Sequence, residues 1–291
     1  MALLSILMLT TLFSSPTKVR RGSLVIAIVS LKGDYVVVAA DSRNLTTMPG
    51  SGGAQPDDRA CKVISLGGDT LFFETGHTYI RVYRGQDWNG LAVASITYRE
   101  SKRHDAEALS TAWGKKASEW FNGQPKQDLR DFSGPNGMLL TGWFVNFTND
   151  GSPSVKSQEV SYSSATNSVV IKPGPSPVPG QAARSGIAQD LVGEFFAQRT
   201  KRAIDAFGPI DATANGTNPR YGLDPTNDSD VAARAIQFAI DNSIGKDKAA
   251  LGGPIDVAVI RKGGAIQWIS RKEGCYEQDL KANLPSPTKG Y

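Results

Sequence analysis

Apolar residues crowd into two early runs, "SLVIAIVSL" (Ser23–Leu31) and "YVVVAAD" (Tyr35–Asp41), separated by Lys32-Gly33-Asp34. Both runs are rich in β-branched residues, and the short break carries the glycine that a tight turn favours. The pattern predicts a hairpin. Nearly every position in it is apolar, so both faces of its strands are expected to be buried. A Gly/Pro stretch, "TTMPGSGGAQPDD", reads as a loop. Two further strands, "CKVISL" and "TLFFETG", follow on either side of Gly67-Gly68-Asp69.

From Asp105 to Phe121 the period changes to that of a helix, with Leu109, Trp113, Ala117 and Trp120 on one side and Gly123 as the stop. "GMLLTGWFVNFT" reads as a strand, "SVKSQEVSY" and "NSVVIK" as weaker ones, and "PGPSPVPG" closes that region. Ile187, Leu191 and Phe195 open a second helix that runs to about Phe207. Gly208–Asn227 reads as a long loop. Ser229 or Asp230 would then cap a third helix with the stripe Val231, Ala235, Ile236, Ile240 and Ile244. "PIDVAVIRKGGAIQWIS" predicts a last hairpin turning at Gly263-Gly264. Strands and helices come in blocks and not in βαβ alternation. This excludes a doubly wound parallel sheet and favours an α+β fold, antiparallel sheets with helices outside. No interior linker marks a boundary, so residues 23–291 are expected to form one domain.

Composition changes this picture only at the N-terminus. The net charge is +4, and residues 1–22 hold Lys18, Arg20 and Arg21 with no acid. Without those three charges the chain is near +1, which is no footprint for nucleic acid. The apolar run Ala2–Phe13 is too short to span a bilayer and suits the core of a signal peptide. Residues 1–22 are therefore expected to be a signal peptide, a propeptide or both. Export to an extracellular or periplasmic space is the expectation, and a cytoplasmic protein with a pro-segment the alternative. Cys61 and Cys275 either pair in an oxidising compartment or stay as two buried thiols. With only two histidines beside them they build no recognisable zinc cluster, and no metal or cofactor is expected. Asn44, Asn146, Asn215 and Asn227 stand in N-x-S/T sequons, which matter only on a eukaryotic secretory route.

Cutting the chain between Gly22 and Ser23 would give Ser23 a hydroxyl nucleophile and a free α-amine. Such an amine has an ordinary pKa of about 7.7–8.0, so it takes up the hydroxyl proton near neutral pH without a histidine. The hairpin brings Asp41 and Arg43 back to the level of Ser23. Lys62, early on the next strand, supplies a cation that would lower the nucleophile's pKa. Gly76, in "ETGHT", leaves a backbone N–H open to an oxyanion. Each residue alone has an ordinary structural explanation; the ordered set is what points to chemistry.

That ordered set resembles the proteasome β-subunit family of N-terminal nucleophile hydrolases. The shared features are a leader ending in Gly22 before Ser23, "ADSR" with Asp41 and Arg43, "CKVISL" with Lys62, "ETGHT" with Gly76, and the late "GGPIDVAVIRKGGAIQWI". The likeness covers about Ser23–Ile80 and Val231–Ile269. It implies a four-layer αββα sandwich of two antiparallel sheets between helix layers. It also implies a hydrolase of peptide or other amide bonds whose catalytic set would be Ser23, Asp41, Lys62, Gly76 and Asp247, with Arg43 in support. A homo-oligomer is a further open expectation. Several features depart from the family. Ser23 replaces its threonine, the hairpin is two residues longer, and Leu251 stands where it has a serine. Asp247 fits its late aspartate only with a one-residue shift, and Ser176 is the nearest candidate for its mid-chain serine. The alternative implied by these departures is an inactive structural or binding member of the same fold.

Overall fold

A computed structural model describes residues 16–22, 24–47, 54–58, 60–82, 86–133, 135–207 and 222–275. Ser23, Asn215 and the apolar run Ala2–Phe13 lie outside the described residues. The chain forms a mixed α/β structure of antiparallel sheets and helices. Its strands are β1 (Pro16–Gly22), β2 (Leu24–Val29), β3 (Tyr35–Asp41), β4 (Asn44–Thr47), β5 (Ala54–Asp57), β6 (Val63–Leu66), β7 (Thr70–Val82), β8 (Trp88–Asn89), β9 (Met138–Phe147), β10 (Pro153–Ser163), β11 (Ser168–Pro173), β12 (Ala182–Gly186), β13 (Ile255–Arg261) and β14 (Ile266–Ser270). The helices are α1 (Gly90–Glu100), α2 (Ala106–Asn122), α3 (Lys126–Phe132), α4 (Gln189–Phe207), α5 (Pro225–Asn242) and α6 (Gly245–Ala250).

The first hairpin forms as its pattern predicts. β2 pairs antiparallel with β3, and Gly33 turns the chain at φ 67°. Every residue of both strands is buried, and the two faces enter different cores. Leu24, Ile26, Ile28, Tyr35, Val37 and Ala39 pack with Val231, Ala235 and Ile236 of α5. The alternate residues Val25, Ala27, Val29, Val36, Val38 and Ala40 pack against Leu71, Phe73, Trp143 and Val145 of the other sheet. Burying an aliphatic side chain of this size stabilises by about 1.5–3 kcal/mol, so a polar residue on either face of the hairpin would be costly. Among the described residues the hairpin belongs to a five-stranded sheet in the order β12-β2-β3-β13-β14.

The second sheet has the order β11-β10-β9-β7-β1-β4-β5, with β6 and β8 also pairing with β7. Phe72 and Phe144 point to a third core with Leu109, Trp113, Ala117 and Phe121 of α2. Their neighbours Leu71, Phe73, Trp143 and Val145 point the other way, to the hairpin's sheet. Tyr35 Oη donates to Asp228 Oδ2 at 2.6 Å, which fastens β3 to the first turn of α5.

Several elements correct the sequence reading. The cap of α5 is Asp224, whose carboxylate accepts from the N–H groups of Thr226 and Asn227, with Pro225 next in line. Ser229 and Asp230 lie inside the helix; the Ser229 hydroxyl donates back to the Pro225 carbonyl and Asp230 pairs with Arg234. Ile244 falls beyond the helix end and is exposed. The second helix starts at Gln189, after Ile187. Helices α1 and α3 carry too short a periodic stripe to be seen in the sequence. The stretch read as a loop contains β4 and β5, whose polar residues find partners at a sheet edge. Part of the leader, read as disposable, is strand β1 inside the larger sheet.

Candidate functional site

The site begins where β3 ends. Asp41 and Lys62 are both 1% exposed, and their Oδ1 and Nζ atoms lie 2.6 Å apart. A buried charge is tolerable only when paired and hydrogen-bonded, and Asp41 meets both conditions. Its Oδ1 accepts from the N–H of Leu24 at 3.0 Å, and its Oδ2 accepts from Gly252 N–H at 3.2 Å. Lys62 Nζ also donates to the Arg43 carbonyl at 2.7 Å. Burial pushes the Lys62 ammonium below its ordinary pKa, and the negative charge of Asp41 opposes that fall. Lys62 thus enters from the larger sheet and Asp41 from the hairpin's sheet, and the pair bridges the two.

Arg43 holds a second pair. Its Nε and Nη2 donate to the two oxygens of Asp58 at 2.6 and 2.9 Å, and its Nη1 donates to the Leu251 carbonyl at 3.0 Å. The hydrogen bond to Asp58 raises the arginine's pKa and lowers that of the carboxyl. The guanidinium lies against Gly252, where an added Cβ would meet its Cζ at 2.7 Å. The loop before β13 thus serves the site through Leu251 and Gly252. Asp247, predicted to contribute a carboxylate, is exposed on the first turn of α6, and it is its backbone carbonyl that accepts from Leu251 N–H. Leu251 itself is 1% exposed and packs into the core beside α5.

The neighbours of Ser23 in the chain are both held. Leu24 donates to Asp41. Gly22 ends β1, in register with Gly76 of β7 on one side and Asn44 of β4 on the other. Gly76 has φ 87° and packs on the backbone of Leu139 and Leu140, so it has no room for a side chain. One residue before it, Thr75 shares a 3.0 Å hydrogen bond between hydroxyls with Ser185 of β12, and both are buried. Gly186, next to Ser185, is in register with Leu24. Sequence reasoning missed this hydroxyl pair because neither residue has a local signal; Ser176 lies instead in a shallow groove with Pro175, Pro177 and Arg184.

A buried acid lies two residues before Gly76. Glu74 is 1% exposed, its carboxyl packs against Gly90 at the start of α1, and among the described residues neither of its oxygens has a well-formed hydrogen-bond partner. Burial raises its pKa well above the ordinary 4.5; the Leu91 N–H opposes the shift without closing a well-formed hydrogen bond. The native state therefore holds this proton more tightly than the unfolded chain does. The stabilisation is complete below the ordinary carboxylate pKa and is lost as pH rises towards the folded value, at up to about 1.4 kcal/mol per pH unit. Glu74→Gln removes that slope. Melting temperatures of parent and variant, followed from pH 4 to 8, should diverge in the variant's favour as pH rises. Parallel curves would show that Glu74 is not the neutral group inferred from its burial.

Among the described residues there is no group of three His, Cys, Asp or Glu side chains able to hold a metal ion, and no helix is long and apolar enough to cross a membrane. Cys61 and Cys275 form a disulfide. Asn44 and Asn146 are each 4% exposed, which leaves those sequons inaccessible in the folded chain. No protein-family model and no curated protein matches this sequence.

Proposed function

We propose that this protein is a proteasome-like N-terminal nucleophile hydrolase that cleaves peptide or other amide bonds, on a four-layer αββα sandwich. The layer reading rests on the three cores, one between the sheets and one under each set of helices. The observation that carries the activity is the meeting of two arrangements at one point in the chain. The buried Asp41–Lys62 pair is hydrogen-bonded to Leu24 on one side of residue 23, and Gly22 faces Gly76 on the other.

In this reading the Ser23 hydroxyl attacks the Gly22 carbonyl, its proton goes to the departing nitrogen as the Gly22–Ser23 amide breaks, and water hydrolyses the resulting ester, so that Ser23 becomes the first residue with a free α-amine. Its α-amine takes the hydroxyl proton, and Oγ attacks a substrate carbonyl. Lys62, held by Asp41, favours the developing alkoxide, and the Gly76 N–H receives the oxyanion. Collapse of the tetrahedral intermediate expels the leaving amine, which gains a proton. Water then releases the acyl group from Oγ. Loss of the leader would leave the inner edges of β7 and β4 open, and an extended peptide can pair there as β1 does. Export through residues 1–22 belongs to the same proposal, and the disulfide fits an oxidising compartment.

One observation favours a second reading, a structural or binding protein of this fold. β1 is paired along both edges, with β7 and β4, so a leader that is never removed would also be a stable part of the sheet.

Intact mass separates the two. The purified full chain is expected to convert to a product beginning at Ser23, and Ser23→Ala to remain uncut at that bond. Ser23→Thr should still convert, because it keeps the hydroxyl. If Ser23→Ala loses the same 22 residues as fast as the parent, another agent makes the cut; if that Ser23→Ala product also hydrolyses amides as fast as the parent, the proposed nucleophile is wrong.

A further inference from the structure

We propose that residues 271–275 form a disulfide-locked hook that positions Lys62, with Arg271, Lys272 and Cys275 as the positioning residues; the catalytic part of this inference rests on the hydrolase reading above. After β14 the chain turns back past Asp58 and residues 60–63 and holds the backbone on both sides of Lys62. Lys272 Nζ donates to the carbonyls of Asp58, at 3.3 Å, and of Ala60. Cys275 is bonded to Cys61, the residue immediately before Lys62. Arg271 Nη1 donates to the carbonyl of Val63, the residue immediately after it, at 2.8 Å, and the same guanidinium lies over the Trp268 ring at 3.5 Å. The hook is itself anchored, since the Lys272 N–H donates to Asp256 Oδ1 at 2.7 Å.

Four residues around Lys62 are thus tied to one short segment more than 200 positions away. Such density has a physical use. Lys62 comes from one sheet and Asp41 from the other, so their 2.6 Å contact depends on how the start of β6 sits against the end of β3. A lysine has four rotatable bonds and would leave a buried site for water if its backbone could shift. The charges facing it are Asp41, Asp58 and Asp256 on the negative side and Lys272 on the positive side. Asp256 is 1% exposed, its Oδ2 has no hydrogen-bond partner among the described residues, and burial raises its pKa; burial also brings the Lys272 ammonium down to about 8. The hook therefore helps to keep Lys62, 1% exposed, out of solvent as well as fixing its backbone.

The test compares the full-length parent with Cys275→Ser. Lysines are acylated with an excess of a water-soluble active ester, and modification is read by peptide mass. Lys62 should be protected in the parent and react at least tenfold faster in the variant, while exposed Lys115 reacts equally in both. Should Cys275→Ser not fold, the folded parent treated with a water-soluble phosphine gives the same comparison. The phosphine takes oxygen from water to become its oxide, and the disulfide gains two hydrogens to become two thiols. Leader loss is followed in parallel as a function of pH. With water admitted to Lys62, the variant should cut at least tenfold more slowly, and its half-maximal pH should move upward as the ammonium regains solvation. A Lys62 that stays equally protected overturns the hook, whether or not the chain cuts itself. If Lys62 becomes reactive but leader loss keeps its rate and pH profile, the positioning role is overturned. If Lys62 becomes reactive and neither protein ever loses its leader, the hook stands and the hydrolase reading falls.

Discussion

Lys62→Met is expected to abolish leader loss and to destabilise the protein by about 3–5 kcal/mol. The substitution keeps most of the side chain's volume, so packing changes little. What it removes is a counter-charge at 2.6 Å from a carboxylate that is 1% exposed. Breaking one half of a buried pair leaves the other half desolvated, which is the source of the large cost. Asp41 keeps its hydrogen bonds from Leu24 and Gly252, so the fold should survive with a lower urea midpoint. Adding Asp41→Asn to Lys62→Met should recover part of that stability, because the stranded charge is gone. It should recover no cleavage, since a group assisting proton transfer at the nucleophile contributes about 100- to 10,000-fold. Urea denaturation and intact mass on the three variants read the two effects separately. A double variant that cuts itself like the parent would remove Lys62 and Asp41 from the mechanism.

Gly76→Ala is expected to cost about 2–5 kcal/mol and to block leader loss. Two terms contribute. A φ of 87° is strained for any residue with a Cβ, at about 1–3 kcal/mol. The added Cβ would also press into the backbone of β9, 2.7 Å from Leu140 Cα and closer still to the Leu139 carbonyl oxygen. Backbone cannot rotate out of the way as a flexible side chain can, so β7 must shift. That shift moves the backbone of residue 76, which is in register with Gly22. Gly68→Ala is the matched control, with φ 85° and open space around its missing Cβ. Chemical denaturation of the two variants should therefore differ by the packing term alone. Equal losses of stability would mean that the close approach at Gly76 is not what requires glycine there.

The hairpin shows how much of this molecule is legible without coordinates. Its β-branched runs, the Lys32-Gly33-Asp34 turn and burial on both faces all follow from local pattern, and so does α2 from its Leu109–Trp113–Ala117 spacing. The meeting of Asp41, Arg43 and Lys62 was also legible, because the hairpin returns to the level at which the next strand starts. Asp247 was not. A residue on a six-residue helix can turn either way, and the contacts from that end go through the backbone of Leu251 and Gly252. The cap of α5 was missed for a related reason. Ser229 and Asp230 have the right chemistry, but Asp224 followed by Pro225 meets the first free N–H groups earlier.

By itself the sequence determined what depends on near neighbours: where the strongly patterned strands and helices form, which faces are apolar, and which strand ends carry the charged residues. Only the tertiary structure decided the pairings between distant segments. Strand β1 takes its place between β7 and β4, although nothing in "PTKVRRG" reads as a strand, because two edges are there to receive its backbone. Cys275 meets Cys61 and Ser185 meets Thr75 across 214 and 110 positions. Periodicity reports the side a residue faces and carries no information on what lies opposite. Partners of that kind are set when whole layers close on one another, and the hook around Lys62 is one of them.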